Sequence, residues 1–351
     1  MNFSDQPDQP GPWPRRWLSA RPGHLALLPG LLAGLSLLSL SIGHAPLTLG
    51  EVLAGLFGQG SEEQRLIVQH IRLPRVLLAW LVGMALGASG AALQGLLRNP
   101  LAEPGLLGIS SSAALGAVLA LYFGATTISL WLLPAAAMGM ALLATLALAA
   151  LTRAGSSNLT LILAGIALSA WAGALTSLAL NVAPNPTAVQ DMVLWLLGSI
   201  SDRSFADVLL CLPFVLLGLA LLLASGRSLE VLTLGEAEAA SLGVSLGRLR
   251  GLIITGSALG VGATVAVTGA IGFVGLVVPH VLRPWVGYRP GPLILASALG
   301  GAVLVLAADI GLRLLDQALP SSQELKLGVV TALIGAPFFL ALVWRARADL
   351  P

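Results

Sequence analysis

Arg72-Leu73-Pro74-Arg75 places two guanidiniums one helical turn apart at the start of a long apolar run. Proline in a first helical turn is ordinary, but cations there oppose the helix dipole by roughly 0.3–1 kcal/mol each. An acidic group on the outer side of the membrane would compensate them; anchoring to lipid headgroups is the alternative use. A second polar group, Arg98-Asn99-Pro100-Leu101-Ala102-Glu103-Pro104-Gly105, sits between two apolar runs and is too polar and proline-rich to cross lipid. It reads as a hinge between two membrane helices. A third, Gly235-Glu236-Ala237-Glu238-Ala239-Ala240-Ser241-Leu242-Gly243, lies in the segment Leu232 to Arg250. It reads as a short helix broken by Gly243 and followed by another, outside the membrane, where it would form a docking surface.

Several chemistries are missing. A pump that hydrolyses ATP itself needs a glycine-rich loop ending in Gly-Lys-Ser/Thr to hold the phosphates, and the one lysine, Lys326, follows Leu325. An ion-coupled carrier usually buries carboxylates at mid-membrane; Asp309, near an outer end, is not central. His24, His44, His70 and His280 are dispersed without ligand spacing, so no metal or cofactor is expected, and the single Cys211 excludes an internal disulfide framework. Ser110, Ser111 and Ser112 have no histidine nearby in sequence, which argues against an intramembrane hydrolase. Asn158-Leu159-Thr160 matches a glycosylation sequon, but the topology below puts it inside.

The elements that must position these residues are membrane helices. Mean hydropathy is +0.91, with 56% apolar and 10% charged residues, against roughly 25% charged in soluble domains. Apolar runs long enough for roughly 30 Å of hydrocarbon predict spans at Leu25 to Gly43, Val76 to Leu97, Leu106 to Phe123, Leu130 to Leu151, Leu159 to Leu180, Val208 to Ala224, Gly251 to Thr268, Gly272 to Val286, Gly291 to Ala308 and Leu327 to Val343. The break between the seventh and eighth is placed at Gly269 and Gly272. Residues 1–24 carry Arg15, Arg16 and Arg21 but no convincing cleavage site follows, so the first apolar run is kept as a helix. Twelve of the eighteen cations then fall on one side, which orients both termini to the cytoplasm. The expected division is a cytoplasmic segment 1–24, one transmembrane domain 25–345 with a cytoplasmic coupling segment 232–250, and a tail 346–351. Gly83, Gly87 and Gly90 fit close helix packing.

Taken together, Arg-Leu-Pro-Arg at 72–75, the Asn-Pro-Leu-Ala-Glu-Pro-Gly-Leu-Leu-Gly-Ile-Ser stretch from Asn99, Gly272 to His280, and the run from Glu324 to Phe339 closely resemble the FecCD permeases of ABC importers for iron chelates and cobalamin. The resemblance runs from about Arg72 to Trp344, in order. It implies an all-α polytopic membrane protein with about ten transmembrane helices, of the type II importer permease kind, in a bacterial inner membrane. It implies a homodimer around the pathway, two copies of a separate cytoplasmic ATPase, and a periplasmic substrate-binding protein. Nucleic acid has no part in it. Arg72, Arg75 and Arg313 stand where the family meets acidic residues of the binding protein. Gly235, Glu236, Glu238, Leu242 and Gly243 match coupling helices, and Asn99, Leu101, Ser157 and Asn158 fall at the inner gate. Lys326 departs from the usual proline. Iron chelates, siderophore or haem, are the first expectation for the substrate and cobalamin the alternative. An ion-coupled secondary transporter, normally marked by inverted repeats, is the competing class.

Overall fold

The computed structural model describes residues 25–43, 45–151, 158–318 and 325–348, which are helical and, among the described residues, contain no strand. The chain enters through α1 (Leu27–Ser41) and two short helices, α2 (Leu49–Leu56) and α3 (Glu62–Leu66). A π-helical turn over Ile67–Arg72 leads into α4 (Leu73–Leu97). A 3-10 turn at Pro104–Leu107 precedes α5 (Ile109–Tyr122), α6 (Ala125–Ile128), α7 (Leu132–Leu151) and α8 (Asn158–Asn181). Then follow α9 (Pro186–Leu196), α10 (Phe205–Ala224), α11 (Gly226–Leu232), α12 (Glu236–Ser241) and α13 (Leu246–Thr268). The last three are α14 (Val274–Leu282), α15 (Pro290–Ala318) and α16 (Leu327–Ala348).

Among the described residues six helical stretches are long and apolar enough to cross a membrane: Glu62–Leu97, Leu132–Leu151, Asn158–Asn181, Phe205–Leu232, Leu246–Thr268 and Pro290–Ala318. Three further apolar helices, Leu27–Ser41, Ile109–Tyr122 and Val274–Val286, are shorter, and α16 is apolar over Leu327–Ala341. Helix boundaries have local causes. Helix α5 starts at Ile109 rather than Leu106 because the Pro104–Leu107 turn ends on Gly108 at φ 75°. Helix α13 ends at Thr268 because Gly269 turns to φ 71°, a conformation costly to most residues. The second helix expected after Gly243 is the first turn of α13 and not a separate element. Helices α2 and α3 were absent from the spans read from sequence, although Thr48 with Glu51 and Ser61 with Gln64 form reciprocal capping boxes that start them.

Helix α4 is the buried axis. Nineteen of its 25 residues are buried, against four of 24 in α8. It lies on α15 and α14 with backbones in contact: a Cβ at Gly83 would overlap the Gly301 backbone, one at Gly87 the Ser297 carbonyl, and one at Gly90 the Gly275 carbonyl. Lipid offers no hydrophobic drive between helices, so such close van der Waals approach carries the association. Gly87→Val should therefore cost on the order of 1–3 kcal/mol, lowering the midpoint of thermal unfolding in detergent. Gly139→Ala, at a position with nothing near its missing Cβ, should leave that midpoint within experimental scatter.

Candidate functional site

The polar residues singled out by sequence gather at opposite ends of α4, which at ~1.5 Å per residue over 25 residues separates them by roughly 37 Å. At its first turn, Arg72 is buried. Its Nη1 donates to the carbonyls of Leu40 at 2.6 Å and Ser41 at 3.0 Å, and its Nη2 donates to Ala45. Arg313 of α15 donates through Nη1 to the carbonyls of Ser39 at 2.9 Å and Ile42 at 3.0 Å, and through Nη2 to the Ser39 hydroxyl. The Ser39, Leu40 and Ser41 carbonyls belong to the last turn of α1, whose final C=O groups lack intrahelical donors and favour cations, and Ile42 and Ala45 follow directly after it.

Arg75 meets Asp309 in a bidentate fork, Nη2 to Oδ1 at 2.8 Å and Nε to Oδ1 at 2.9 Å, and Arg313 reaches Oδ2 at 3.1 Å. The carboxylate is fully buried while the two arginine side chains retain 16% and 11% exposure. Sequence reasoning sought the acid that compensates these cations on the outer side of the membrane. The structure finds one across 234 positions, on α15, a separation that local sequence cannot reveal.

The opposite end joins two groups that sequence kept apart. Glu236, the first residue of α12, accepts from Asn158 Nδ2 at 3.3 Å and lies 3.7 Å from Arg250 Nη2. Asn158, the first residue of α8, also donates to the Leu96 carbonyl in the last turn of α4 at 3.3 Å, and its Oδ1 accepts from Arg250 at 3.2 Å. The starts of α12 and α8, the first turn of α13 and the end of α4 are thus joined through one asparagine. Arg250 was only one of many inner cations in the sequence; nothing local marks it.

The hinge itself is an Asx turn, Asn99 Oδ1 accepting from the Leu101 amide at 2.9 Å. Asn99 and Leu101 are half-buried. Gly235 (φ 128°) and Gly243 (φ 87°) bracket α12, on which Ala239 is buried while Glu236, Glu238 and the following Leu242 are exposed. Ser157 lies outside the described residues. A separate cavity of about 300 Å³ is lined by Asp191, Trp195, Ser199, Ser201, Arg203 and Lys326 among others, residues that sequence did not group. No cluster of metal-ligating side chains occurs among the described residues.

The site is thus a helical bundle with a small exposed helix, α12, bonded to the ends of α4, α8 and α13. The FecCD transport family model matches residues 31–345. The chain is 40% identical over 319 residues to the Fe(3+) dicitrate transport system permease protein FecD of Escherichia coli, covering 90% of this chain and 96% of that one. It is 38% identical over 322 residues to the cobalamin import system permease protein BtuC of Halobacterium salinarum, covering 91% and 82%. A solved inward-facing metal-chelate type ABC transporter superposes with a TM-score of 0.82 at 34% identity, covering 92% of this chain and 99% of that one. The chain belongs to the FecCD transport family and is a multi-pass membrane permease.

Asp309→Asn leaves two part-buried guanidiniums without their shared charge. Removing one partner of such a cluster costs about 3–5 kcal/mol, and the loss should appear as a lower unfolding midpoint and poor recovery of monodisperse protein.

Proposed function

We propose that this chain forms, as a homodimer, the pathway of a binding-protein-dependent importer for iron chelates, siderophore or haem, and that ATP hydrolysis resides on two copies of a separate cytoplasmic subunit. The observation that carries the mechanism is the hydrogen-bonded junction of Glu236, Asn158, Arg250 and the Leu96 carbonyl. The iron-chelate assignment is supported by the iron-citrate relative and the metal-chelate transporter described above.

In this reading all ten apolar helices cross the inner membrane, both termini are cytoplasmic, and residues 25–345 form one domain flanked by segments 1–24 and 346–351. A loaded binding protein docks on the end that carries Arg72, Arg75 and Arg313. Arg75 and Arg313 there share the carboxylate of Asp309 and keep 16% and 11% exposure, while Arg72 is buried against the end of α1, so an acidic partner surface would meet the exposed edges of Arg75 and Arg313. Such complementarity acts chiefly on orientation and association rate.

At the other end α12, with Gly235, Glu236, Glu238, Leu242 and Gly243, seats in the ATPase. Leu234 and Leu242 are exposed at 63% and 64%, and covering them removes apolar surface from water. When the ATPases close, α12 moves and pulls on Asn158 through Glu236. The inner gate of Asn99, Leu101, Ser157 and Asn158 then switches. Moving a two-state gate from 1:99 to 99:1 takes about 5.5 kcal/mol of differential binding, which ATP can provide and this subunit alone cannot.

Two measurements test this. Leu242→Asp should weaken association with the ATPase by on the order of tenfold, about 1.4 kcal/mol, read by co-purification and by ATP-driven uptake of an iron chelate into proteoliposomes. Uptake driven by an ion gradient without the ATPase would sink the importer reading in favour of a secondary carrier. Association of the neighbouring binding protein should slow as ionic strength rises; a rate indifferent to salt would remove the electrostatic docking site.

A further inference from the structure

A cavity of about 260 Å³ opens beside the inner end of α4, between the hinge, the α11–α12 link and the turn that joins α14 to α15. Its polar lining comes from Gln94, Arg98, Asn99, Thr233, Arg283 and Tyr288. Two of these are guanidiniums. The half-buried Arg283 donates to Gln94 Oε1 at 2.5 Å, a neutral acceptor. Arg98 has no ion pair among the described residues, and neither does Arg283.

Arg75, Arg250, Arg289 and Arg313 each find a carboxylate within 4 Å, and the buried Arg72 is met by three backbone carbonyls instead. What marks this cavity is that two guanidiniums share it. Removing a guanidinium from water is costly unless its charge is compensated; Arg283 is half-buried against a neutral partner, and the exposed Arg98 lines the same space with no acid between them. The cavity is larger than the roughly 30 Å³ share of one water, so it has room for a polyatomic anion.

Backbone and amide geometry point the same way. Arg98 sits at φ 51°, the left-handed position where a helix normally ends on glycine, so the side chain is kept at a place where none would be easier to accommodate. Asn99 accepts from the Leu101 amide through Oδ1, which leaves its Nδ2 group for donation. Two planar forks and an amide N–H₂ are donors only, a set suited to the oxygens of a phosphate and not to a cation.

We propose that this cavity binds a phosphate-class oxyanion, for which the headgroup of an anionic lipid is the nearest source at a membrane surface. Bound there, the anion bridges the hinge residues Arg98 and Asn99 to Arg283 and so braces the inner gate against the α14–α15 turn.

The test uses the full-length protein in vesicles of phosphatidylcholine alone, of phosphatidylcholine with phosphatidylglycerol, and of phosphatidylcholine with added inorganic phosphate. Thermal unfolding is followed for wild type, Arg98→Gln, Arg98→Gln/Arg283→Gln, and Arg227→Gln, an exposed arginine outside the cavity. Phosphatidylglycerol should raise the unfolding midpoint of wild type and of Arg227→Gln, and Arg98→Gln should lose most of that rise. An equal, Arg98-dependent rise with inorganic phosphate would also support the site and identify a free anion as its occupant. Should the double variant fail to fold, the exposed Arg98→Gln decides alone. A full rise in Arg98→Gln, or no rise in wild type until the ATPase is added, would overturn the proposal, the latter giving the cavity to a carboxylate of the ATPase.

Discussion

The contact of α4 with α15 and α14 is made by backbone, and everything else in the bundle is arranged around it. At Gly83, Gly87 and Gly90 no side chain intervenes, and the opposing surface is itself glycine or carbonyl at Gly301, Ser297 and Gly275. Backbones this close gain dispersion along their whole length, and they allow no sliding without collision. The axial helix therefore behaves as a fixed shaft. Gln94 extends the same seam toward the inner end, where its Nε2 donates to the Gly275 and Leu276 carbonyls at 3.4 Å.

Charge is placed where the shaft ends. Asp309 takes two arginines at the outer end, while α1 offers the carbonyls of its last turn to Arg72 and Arg313. A buried carboxylate is tolerated because both its oxygens are paired, and buried guanidiniums because they meet either that carboxylate or a helix C-terminus. The result is that α1, which is only 15 residues long, is held to α4 and α15 by directed bonds as well as by packing.

The sequence made the helical class, the apolar runs and the position of the hinge legible, because hydropathy and proline act locally. Gly269 as the break after α13 was readable for the same reason. Long-range pairing was not: nothing near Arg75 points to Asp309, and nothing near Asn158 points to Glu236 or Arg250, since the partners are brought together only by the fold. The capping boxes of α2 and α3 were legible in principle, but a search weighted toward apolar length passes over helices of eight and five residues. Helix α5 shows the converse, for an apolar run continues through Leu106 where the backbone has already turned at Gly108.

A rigid axis with polar junctions at its ends constrains how such a permease changes state. Motion along the glycine seam would drive Gly87 into the Ser297 carbonyl, so the seam moves as one body. The junction at Asn158 is different in kind. It includes three hydrogen bonds at 3.2–3.3 Å, two of them part-buried, and an ion pair at 3.7 Å whose glutamate is 45% exposed, contacts that part at less cost than a backbone seam. Residues that pack tightly hold α4, α14 and α15 as one body, and the looser contacts at Asn158 leave α12 and α8 easier to displace relative to α4.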